Sequence, residues 1–292
     1  MIVVEKIAAL RQQLTVLRDE RSHENQPAAV GLVPTMGYLH EGHASLMRKA
    51  KEQSDIVVLS IFVNPIQFGP NEDLDKYPRD AERDLALAEK LGVDVVFLPS
   101  VSEMYPQPTK TKVKVEEVTT RLCGASRPGH FDGVTTVVTK LFNIIQPQKA
   151  FFGMKDAQQV AVIQQMVLDL NMPVDIVPCP IVREEDGLAM SSRNVYLSAE
   201  NRQAALVLSQ SLFAVDEWVQ SGEMKTVGQL RDRIVEQIAG VPTAEIDYVD
   251  ILTFPGLTEM ASDEQLRNWK GKAIIALAVK FGATRLIDNR IL

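Results

Sequence analysis

Short apolar runs alternate with helical periodicity through the first 180 residues of this 292-residue chain. The runs are rich in Val, Ile and Phe, and stretches with the apolar spacing of helices separate them. This alternation is typical of βαβ units, in which parallel strands form a sheet buried on both faces. The predicted strands are residues 28–33, 56–63, 93–98, 149–152 and 174–177. The predicted helices are residues 4–21, 44–54, 79–91, 134–145 and 157–170.

The pattern changes near residues 183–187. Two amphipathic helices are predicted at residues 200–220 and 226–238, followed by strands at 245–251 and 273–279 and by a last apolar stretch at 284–291. This order is typical of a smaller α+β domain. The sequence therefore predicts an α/β fold with two domains. A Rossmann-like parallel-sheet domain spans residues 1–183, and a C-terminal α+β lid domain spans residues 184–292.

Two histidines follow the first predicted strand, in the string PTMGYLHEGH at residues 34–43. His40 and His43 fall where a strand ends and a helix begins. A helix N-terminus offers unpaired N–H groups and a partial positive charge, which favour phosphate. Gly37 and Gly42 allow the backbone to approach a ligand closely. The pattern indicates phosphate chemistry.

Two other interpretations of the histidine pair stay open at this point. The side chains are either solvated structural groups or two ligands of a metal ion. However, His40 and His43 lack the i, i+4 spacing of the helical zinc motif. No third ligand stands out, since the other histidines are only His23 and His130.

Further polar side chains follow other predicted strands. Asn64 and Gln67 come after the second strand, and Lys155 comes after the strand at residues 149–152. Ligands of parallel sheets bind beyond the carboxyl ends of the strands, so we expect these groups to converge with the histidines. Side-chain amides suit the carboxylate and hydroxyl groups of a small substrate. The alternative is that the amides only satisfy a turn.

Three more clusters carry charge or hydroxyl groups. A Gly-rich loop carries Arg127 and His130 and leads into the predicted helix at 134–145, so Arg127 either contacts an anion or is a solvated loop residue. Lys155 suits a phosphate, and the neighbouring Asp156 suits either a ribose hydroxyl or a helix cap. A string of two serines and Arg193 suits closure over a triphosphate, with a serine-rich linker as the alternative.

Composition excludes several classes of protein. The net charge of −7 argues against a broad nucleic-acid surface. The two cysteines, Cys123 and Cys179, form neither a CxxC pair nor a disulfide framework. No run reaches the length of a membrane span, and the N-terminus lacks a signal-peptide layout. We therefore expect a cytoplasmic protein that binds neither nucleic acid nor membrane.

Taken together, the clusters resemble a known family. PTMGYLHEGH, FVNPIQF, SRPGHFDGV, FFGMKDAQQ and AMSSRN occur in the order and at about the separations of the pantoate–β-alanine ligase (pantothenate synthetase) family. This family belongs to a nucleotidyltransferase superfamily that shares the HxGH element. The resemblance covers most of the first 198 residues and resumes in TRLIDN at residues 284–289.

The resemblance implies an activity. The family condenses (R)-pantoate with β-alanine, using ATP and Mg²⁺, and forms pantothenate, AMP and pyrophosphate through a pantoyl adenylate in coenzyme A biosynthesis. It also implies a homodimer, and Mg²⁺ that is held mainly through ATP and not by metal ligands of the protein.

The resemblance also implies a set of site residues. His43 matches the catalytic histidine, and His40, Lys155, Ser191, Ser192 and Arg193 are expected to assist it. Gln67, Gln159, Asn64 and Arg127 are expected to bind pantoate or β-alanine. The expected ATP-binding residues are Met36, Gly37, Tyr38, Leu39, His40, Glu41, Gly42, His43, Gly153, Met154, Lys155, Asp156, Val182, Met190, Ser191, Ser192 and Arg193.

Three competing functions remain at the level of sequence. One is an adenylyltransferase that stops at the nucleotide product, another a metal hydrolase, and the third a non-catalytic nucleotide-binding module. The strings FVNPIQF and SRPGHF count against the first. Tyr38 departs from the smaller or polar residue that is frequent in the family, and residues 200–272 carry no recognisable motif.

Overall fold

Six parallel strands form the larger sheet, which is the parallel sheet that the alternating pattern predicted with one strand, at residues 2–4, added to the five predicted ones. A computed structural model describes residues 1–22, 26–70 and 72–292; His23 lies outside them. The strands are β1 (Ile2–Val4), β2 (Val30–Thr35), β3 (Ile56–Ile61), β4 (Val95–Phe97), β5 (Lys149–Gly153) and β6 (Asp175–Cys179). The helices up to β6 are α1 (Ile7–Arg21), α2 (Glu41–Gln53), α3 (Ala81–Lys90), α4 (Val101–Met104), α5 (Cys123–Ser126), α6 (His130–Ile145) and α7 (Ala157–Asp169).

The strand order of this sheet is β1–β4–β3–β2–β5–β6, and its strand pairs are parallel. The order reverses between β2 and β5. Ligands of open α/β sheets bind outside the carboxyl ends of the strands at such a reversal. The loop that carries the histidine pair follows β2, so the topology places that loop at the expected ligand-binding edge.

The core under this edge consists of apolar residues from the strands and from α2. Every residue of β3 is buried, which explains why all of them except Ser60 are apolar. On α2, Leu46, Met47 and Ala50 are buried and belong to the same core cluster as Leu39 of the preceding loop. The loop is therefore anchored by an apolar residue just before the histidines.

A second, smaller sheet forms in the C-terminal part of the chain. It is antiparallel, in the order β7 (Ala244–Thr253), β8 (Ala273–Phe281) and β9 (Thr284–Ile291). It is preceded by α8 (Ala199–Ala204), α9 (Leu206–Ser221) and α10 (Val227–Ala239). Apolar residues of α9, α10 and β8 share one core cluster. This is the α+β arrangement that the sequence predicted.

The chain divides into two compact units. The sheet unit comprises residues 1–116, 127–154 and 162–180, and the second unit comprises 117–126, 155–161 and 181–292. The domain boundary after residue 183 stays a prediction. None of the helices among the described residues is long and apolar enough to cross a membrane.

Several predicted helix boundaries were wrong. The helix predicted from residue 44 begins at Glu41. Residues 2–4 form the short strand β1 beside β4, and α1 begins only at Ile7. The predicted helix at 200–220 is two helices, because the amide of Leu208 bonds the carbonyl of Ala205 in a tighter turn than an α-helix has. The helix predicted from residue 134 begins at His130; Gly133 in its first turn has low helix propensity and obscured the start.

Candidate functional site

The loop between β2 and α2 wraps around a buried carboxylate. Asp84 of α3 is 1% exposed and accepts hydrogen bonds from the backbone N–H groups of Tyr38 (2.7 Å) and Leu39 (2.6 Å). Gly37 and Tyr38 adopt positive φ angles of 81° and 50°, and a Cβ atom on Gly37 would lie 2.9 Å from Asp84 Oδ2. The loop therefore needs a glycine here, and the two N–H groups are engaged inside the protein.

Burial raises the pKa of Asp84, although the two backbone N–H groups oppose this shift. Sequence reasoning missed Asp84. The signal was present, because Asp84 and Ala88 are one helical turn apart and are the buried positions of α3. An acidic residue on the apolar stripe of a helix indicates a buried carboxylate that has partners inside the protein.

His40 and His43 lie at the N-terminus of α2, as predicted. His40 is the N-cap, and its Nδ1 accepts from the N–H of Gly42 at 3.1 Å. The Nδ1 of His43 accepts from the N–H of His40 at 3.3 Å. The ring centroids lie 4.1 Å apart. Because each Nδ1 is an acceptor, each neutral ring carries its hydrogen on Nε2. Both imidazoles therefore have an Nε2–H donor.

The amides that follow β3 are brought together. A 3₁₀ turn spans Pro65–Gln67, and the Nδ2 of Asn64 donates to the Oε1 of Gln67 at 3.0 Å. Gln67 Nε2 lies 3.2 Å from the sulfur of Met36, another predicted site residue. Both amide side chains are buried. Sequence reasoning missed Tyr105, whose hydroxyl donates to Asn64 Oδ1 at 2.8 Å.

Arg127 is paired with a carboxylate that sequence reasoning also missed. Its Nε donates to Glu72 Oε1 at 2.7 Å, and a second bond joins its NH2 group to Oε2. Burial raises the pKa of Glu72, but the hydrogen bonds and charge of Arg127, with smaller contributions from Gly69 and His130, together outweigh this effect, and the pKa is lowered overall. The bidentate geometry is the one that guanidinium groups adopt with carboxylates. Arg127 is thus equipped to bind a substrate carboxylate in place of Glu72.

A histidine links Arg127 to Gln67. The Nδ1 of His130 lies 2.9 Å from the carbonyl of Gln67, and its Nε2 lies 3.2 Å from Arg127 NH1. A carbonyl only accepts, so Nδ1 carries the ring hydrogen and Nε2 accepts from Arg127. The sheet unit therefore joins Asn64, Gln67 and Arg127 in one polar network.

Further predicted residues lie where β5 ends and α7 begins, and those from Lys155 onward belong to the second unit. Gly153 ends β5, and a 3₁₀ turn at Met154–Asp156 leads directly into α7. Lys155 is held through its carbonyl, which accepts from Asn289 Nδ2 at 2.9 Å. Gln159 is half-buried. Its neighbour Gln158 is buried and donates to the carbonyls of Val118 and Arg121.

The loop at residues 183–194, which carries the string expected to close over a triphosphate, is internally bonded. The N–H of Met190 donates to the carbonyl of Val182 at 3.0 Å. This bond brings together two residues that are predicted to bind ATP. Ser191 caps the 3₁₀ turn Ser192–Tyr196 by accepting from the N–H of Arg193 at 3.2 Å.

The base of this loop is an ion pair with β9. Arg183 donates to both carboxylate oxygens of Asp288, at 2.6 and 2.9 Å, and Asp288 is 2% exposed. This pairing gives a physical reason for the charged and amide residues in TRLIDN, since Asn289 holds the carbonyl of Lys155 from the next position.

The metal interpretation of the histidine pair has no cluster to support it. Among residues 1–22, 26–70 and 72–292, no group of three or more His, Cys, Asp or Glu side chains is arranged to hold a metal ion. The carboxylate that contacts the histidine loop, Asp84, already accepts two backbone N–H groups.

Comparisons with known proteins show which family the chain is similar to. The family model for pantoate–β-alanine ligase matches residues 2–291. The chain is 57% identical to the pantothenate synthetase of Acetivibrio thermocellus over 289 residues, covering 99% of this chain and 98% of that protein. It is 56% identical to that of Pelotomaculum thermopropionicum over 292 residues, covering 100% and 99%.

Solved structures give the same result. The crystal structure of pantothenate synthetase from Thermus thermophilus matches with a TM-score of 0.89 at 46% identity, covering 99% of both chains. The pantoate–β-alanine ligase from Francisella tularensis, solved with β-γ ATP and β-alanine, matches with a TM-score of 0.76 at 32% identity, covering 100% of this chain and 97% of that one. This chain belongs to the pantoate–β-alanine ligase family.

Proposed function

We propose that the chain condenses (R)-pantoate with β-alanine at the expense of ATP, forming pantothenate, AMP and pyrophosphate. The carboxylate of pantoate attacks the α-phosphorus of ATP, and pyrophosphate leaves. The amine of β-alanine then attacks the acyl carbon of pantoyl adenylate, and AMP leaves. The full-length family match supports this reaction, as does the relative solved with β-γ ATP and β-alanine.

The observation that carries the mechanism is the hydrogen-bonding state of the histidine pair. Both Nδ1 atoms accept backbone N–H groups, so both rings have Nε2–H donors. Negative charge grows on the phosphate oxygens during attack and on the leaving pyrophosphate. Preorganised donors stabilise that charge without any covalent bond to the protein. We assign this role to His43, with His40 helping to hold the phosphates.

Several other residues are proposed to contact ATP. Lys155 and Arg193 supply positive charge, and Ser191 and Ser192 supply hydroxyl donors. The remaining contacts are proposed to come from the backbone and side chains of the predicted set. That set consists of Met36, Gly37, Tyr38, Leu39, Glu41, Gly42, Gly153, Met154, Asp156, Val182 and Met190. The backbone N–H groups of Tyr38 and Leu39 are excluded, because Asp84 uses them.

The substrates of the ligase reaction are proposed to meet the amide and guanidinium groups. Gln67 and Gln159 bind pantoate, and the side-chain amide of Asn64 contacts that of Gln67. Arg127 binds a carboxylate, for which the amino acid β-alanine is the natural partner in this reaction. Its bidentate bond to Glu72 is the geometry that the substrate carboxylate would take over.

Mg²⁺ is proposed to arrive with the phosphates of ATP. Mg²⁺ is usually held by substrate phosphates and few protein ligands, so this mode needs no dedicated carboxylate site on the protein. When bound, the ion neutralises phosphate charge. A homodimeric assembly and a cytoplasmic location also remain proposals, and sedimentation of the purified protein tests the first.

The product of the reaction tests the proposed function. Purified protein is incubated with ATP, Mg²⁺ and pantoate, with and without β-alanine. We expect AMP and pantothenate in equal amounts only when both substrates are present. Nucleotide transfer to pantoate without any amide product would favour the adenylyltransferase that stops at its nucleotide product.

A further inference from the structure

We propose that Tyr105 is a positioning residue for this reaction, acting through Asn64 to fix the amide of Gln67 with its NH2 group toward pantoate. The inference rests on the proposed role of Gln67 in binding pantoate. Tyr105 follows α4 and lies outside every motif that carried the family resemblance.

The orientation of Asn64 is set by a backbone carbonyl. One amide atom of Asn64 lies 3.1 Å from the carbonyl oxygen of Gly133, which has no hydrogen to donate. That amide atom is therefore the nitrogen Nδ2 and not the oxygen. Gly133 is able to approach because it has no Cβ; a Cβ atom there would lie 2.5 Å from the Cα of Gln67.

The orientation of Gln67 follows from that of Asn64. The second hydrogen of Asn64 Nδ2 points at the Gln67 amide, 3.0 Å away. Only an oxygen accepts this hydrogen, so Oε1 of Gln67 faces Asn64 and Nε2 faces away. Nε2 lies 3.2 Å from the sulfur of Met36, which is itself a predicted site residue.

Tyr105 supplies the hydrogen-bond donor for the oxygen of the Asn64 amide. Asn64 is 1% exposed, and its Oδ1 receives the Tyr105 hydroxyl hydrogen at 2.8 Å. The ring of Tyr105 is held by Phe62 at 6.0 Å between centroids and by the ammonium of Lys140 at 5.3 Å. Burial raises the pKa of the Tyr105 hydroxyl, so the group keeps its hydrogen and remains a donor at neutral pH.

The consequence is chemical selectivity. With Oε1 turned toward Asn64, Gln67 directs its N–H donors away from Asn64 and toward a substrate. Its partner on pantoate is therefore an acceptor, a carboxylate or hydroxyl oxygen. A buried donor left unpaired is penalised, so an analogue without that acceptor binds poorly.

The test is pyrophosphate exchange into ATP as a function of pantoate concentration. Tyr105→Phe removes only the hydroxyl. We expect the KM for pantoate to rise about ten-fold, the size of losing one buried hydrogen bond, while the KM for ATP is unchanged. Tyr248→Phe is the matched control, because its hydroxyl contacts Cys123 in the second unit, and it should behave as wild type.

A cycle with Gln67→Ala separates positioning from a general structural effect. If Tyr105 acts through Gln67, adding Tyr105→Phe to Gln67→Ala should raise the KM for pantoate no further. A similar further rise in that background would overturn the proposal, as would a Tyr105→Phe enzyme with wild-type KM.

Gln67→Glu gives a second readout that does not depend on the folding of Tyr105→Phe. Glutamate still accepts from Asn64 but replaces the donor NH2 with an acceptor, so the KM for pantoate should rise at least about ten-fold. A wild-type KM would overturn the assigned orientation. If the wild-type protein shows no exchange at all, the proposed function is contradicted. If the wild-type protein exchanges pyrophosphate and these variants do so with the same KM for pantoate, only this inference is contradicted.

Discussion

His43 is the single residue on which the adenylation step should depend most. Its Nδ1 accepts the N–H of His40, so its Nε2–H is held as a donor. Replacing His43 with Ala should slow pantoyl adenylate formation about 100- to 1000-fold, the usual effect of removing one preorganised donor. Rapid-quench measurement of the adenylate checks this. Unaltered far-UV circular dichroism serves as the folding control, and near-normal adenylate formation would remove His43 from the mechanism.

Cys179 should react slowly with alkylating reagents. Burial raises the pKa of its thiol to about 11, and the thiolate is the reactive form. At pH 8 roughly one molecule in 1000 carries the thiolate, and this fraction rises about ten-fold with each pH unit until the pKa is reached. Peptide mapping after iodoacetamide labelling should show this slope at Cys179. Labelling in guanidinium chloride is the control, and native labelling as fast as in denaturant contradicts the prediction.

At the scale of elements, the pair between Arg183 and Asp288 joins the loop at 183–194 to β9. Both carboxylate oxygens of the buried Asp288 are bonded. Asp288→Ala leaves a partly buried guanidinium without its partner and should lower the free energy of unfolding by about 3–5 kcal/mol. Urea denaturation measures this change.

An exposed ion pair on the same strand provides the matched control for Asp288. Arg290 pairs with Asp216, whose side chain is 58% exposed. Solvent screens such pairs, so Asp216→Ala should lower the free energy of unfolding by less than about 1 kcal/mol. Equal losses for Asp288→Ala and Asp216→Ala would show that the Asp288 pair does not anchor the loop.

The contact between α6 and the 3₁₀ turn at Pro65–Gln67 depends on Gly133. A Cβ atom there would lie 2.5 Å from the Gln67 backbone, so Gly133→Ala should destabilise the fold by about 1–3 kcal/mol. Gly240, at the end of α10, has φ −66° and room for a Cβ at 3.4 Å from its nearest neighbour. Gly240→Ala should therefore be neutral or slightly stabilising. Thermal unfolding compares the two, and a neutral Gly133→Ala would contradict the packing argument.

Hydrophobic periodicity predicted the helices and strands that bury one continuous face. It failed where a single residue breaks the apolar pattern. The largely apolar run of β3 predicted a buried strand directly, and the strand-to-helix junction at His40 was also predicted. The start of α6 was missed because Gly133 is required by a neighbour distant in sequence. The spacing of α3 indicates that Asp84 is buried, but it does not identify the distant partner, the N–H of Leu39.

The whole molecule divides the proposed chemistry between its two units. The sheet unit contains His40, His43 and the amide network, and the second unit contains Lys155 and Arg193. If the cations serve the first half-reaction, Lys155→Ala should depress pyrophosphate exchange strongly, since charge-assisted bonds to phosphate are about twice as strong as neutral ones. The same variant should still convert preformed pantoyl adenylate with β-alanine, because that step builds little new phosphate charge.

The central claim is a two-step ligase reaction through an acyl adenylate. Its most direct test is the exchange of labelled pyrophosphate into ATP by the wild-type protein with Mg²⁺. The two-step mechanism predicts that exchange requires pantoate and proceeds without β-alanine. Exchange that occurs only when β-alanine is present would contradict it and would point to a concerted path.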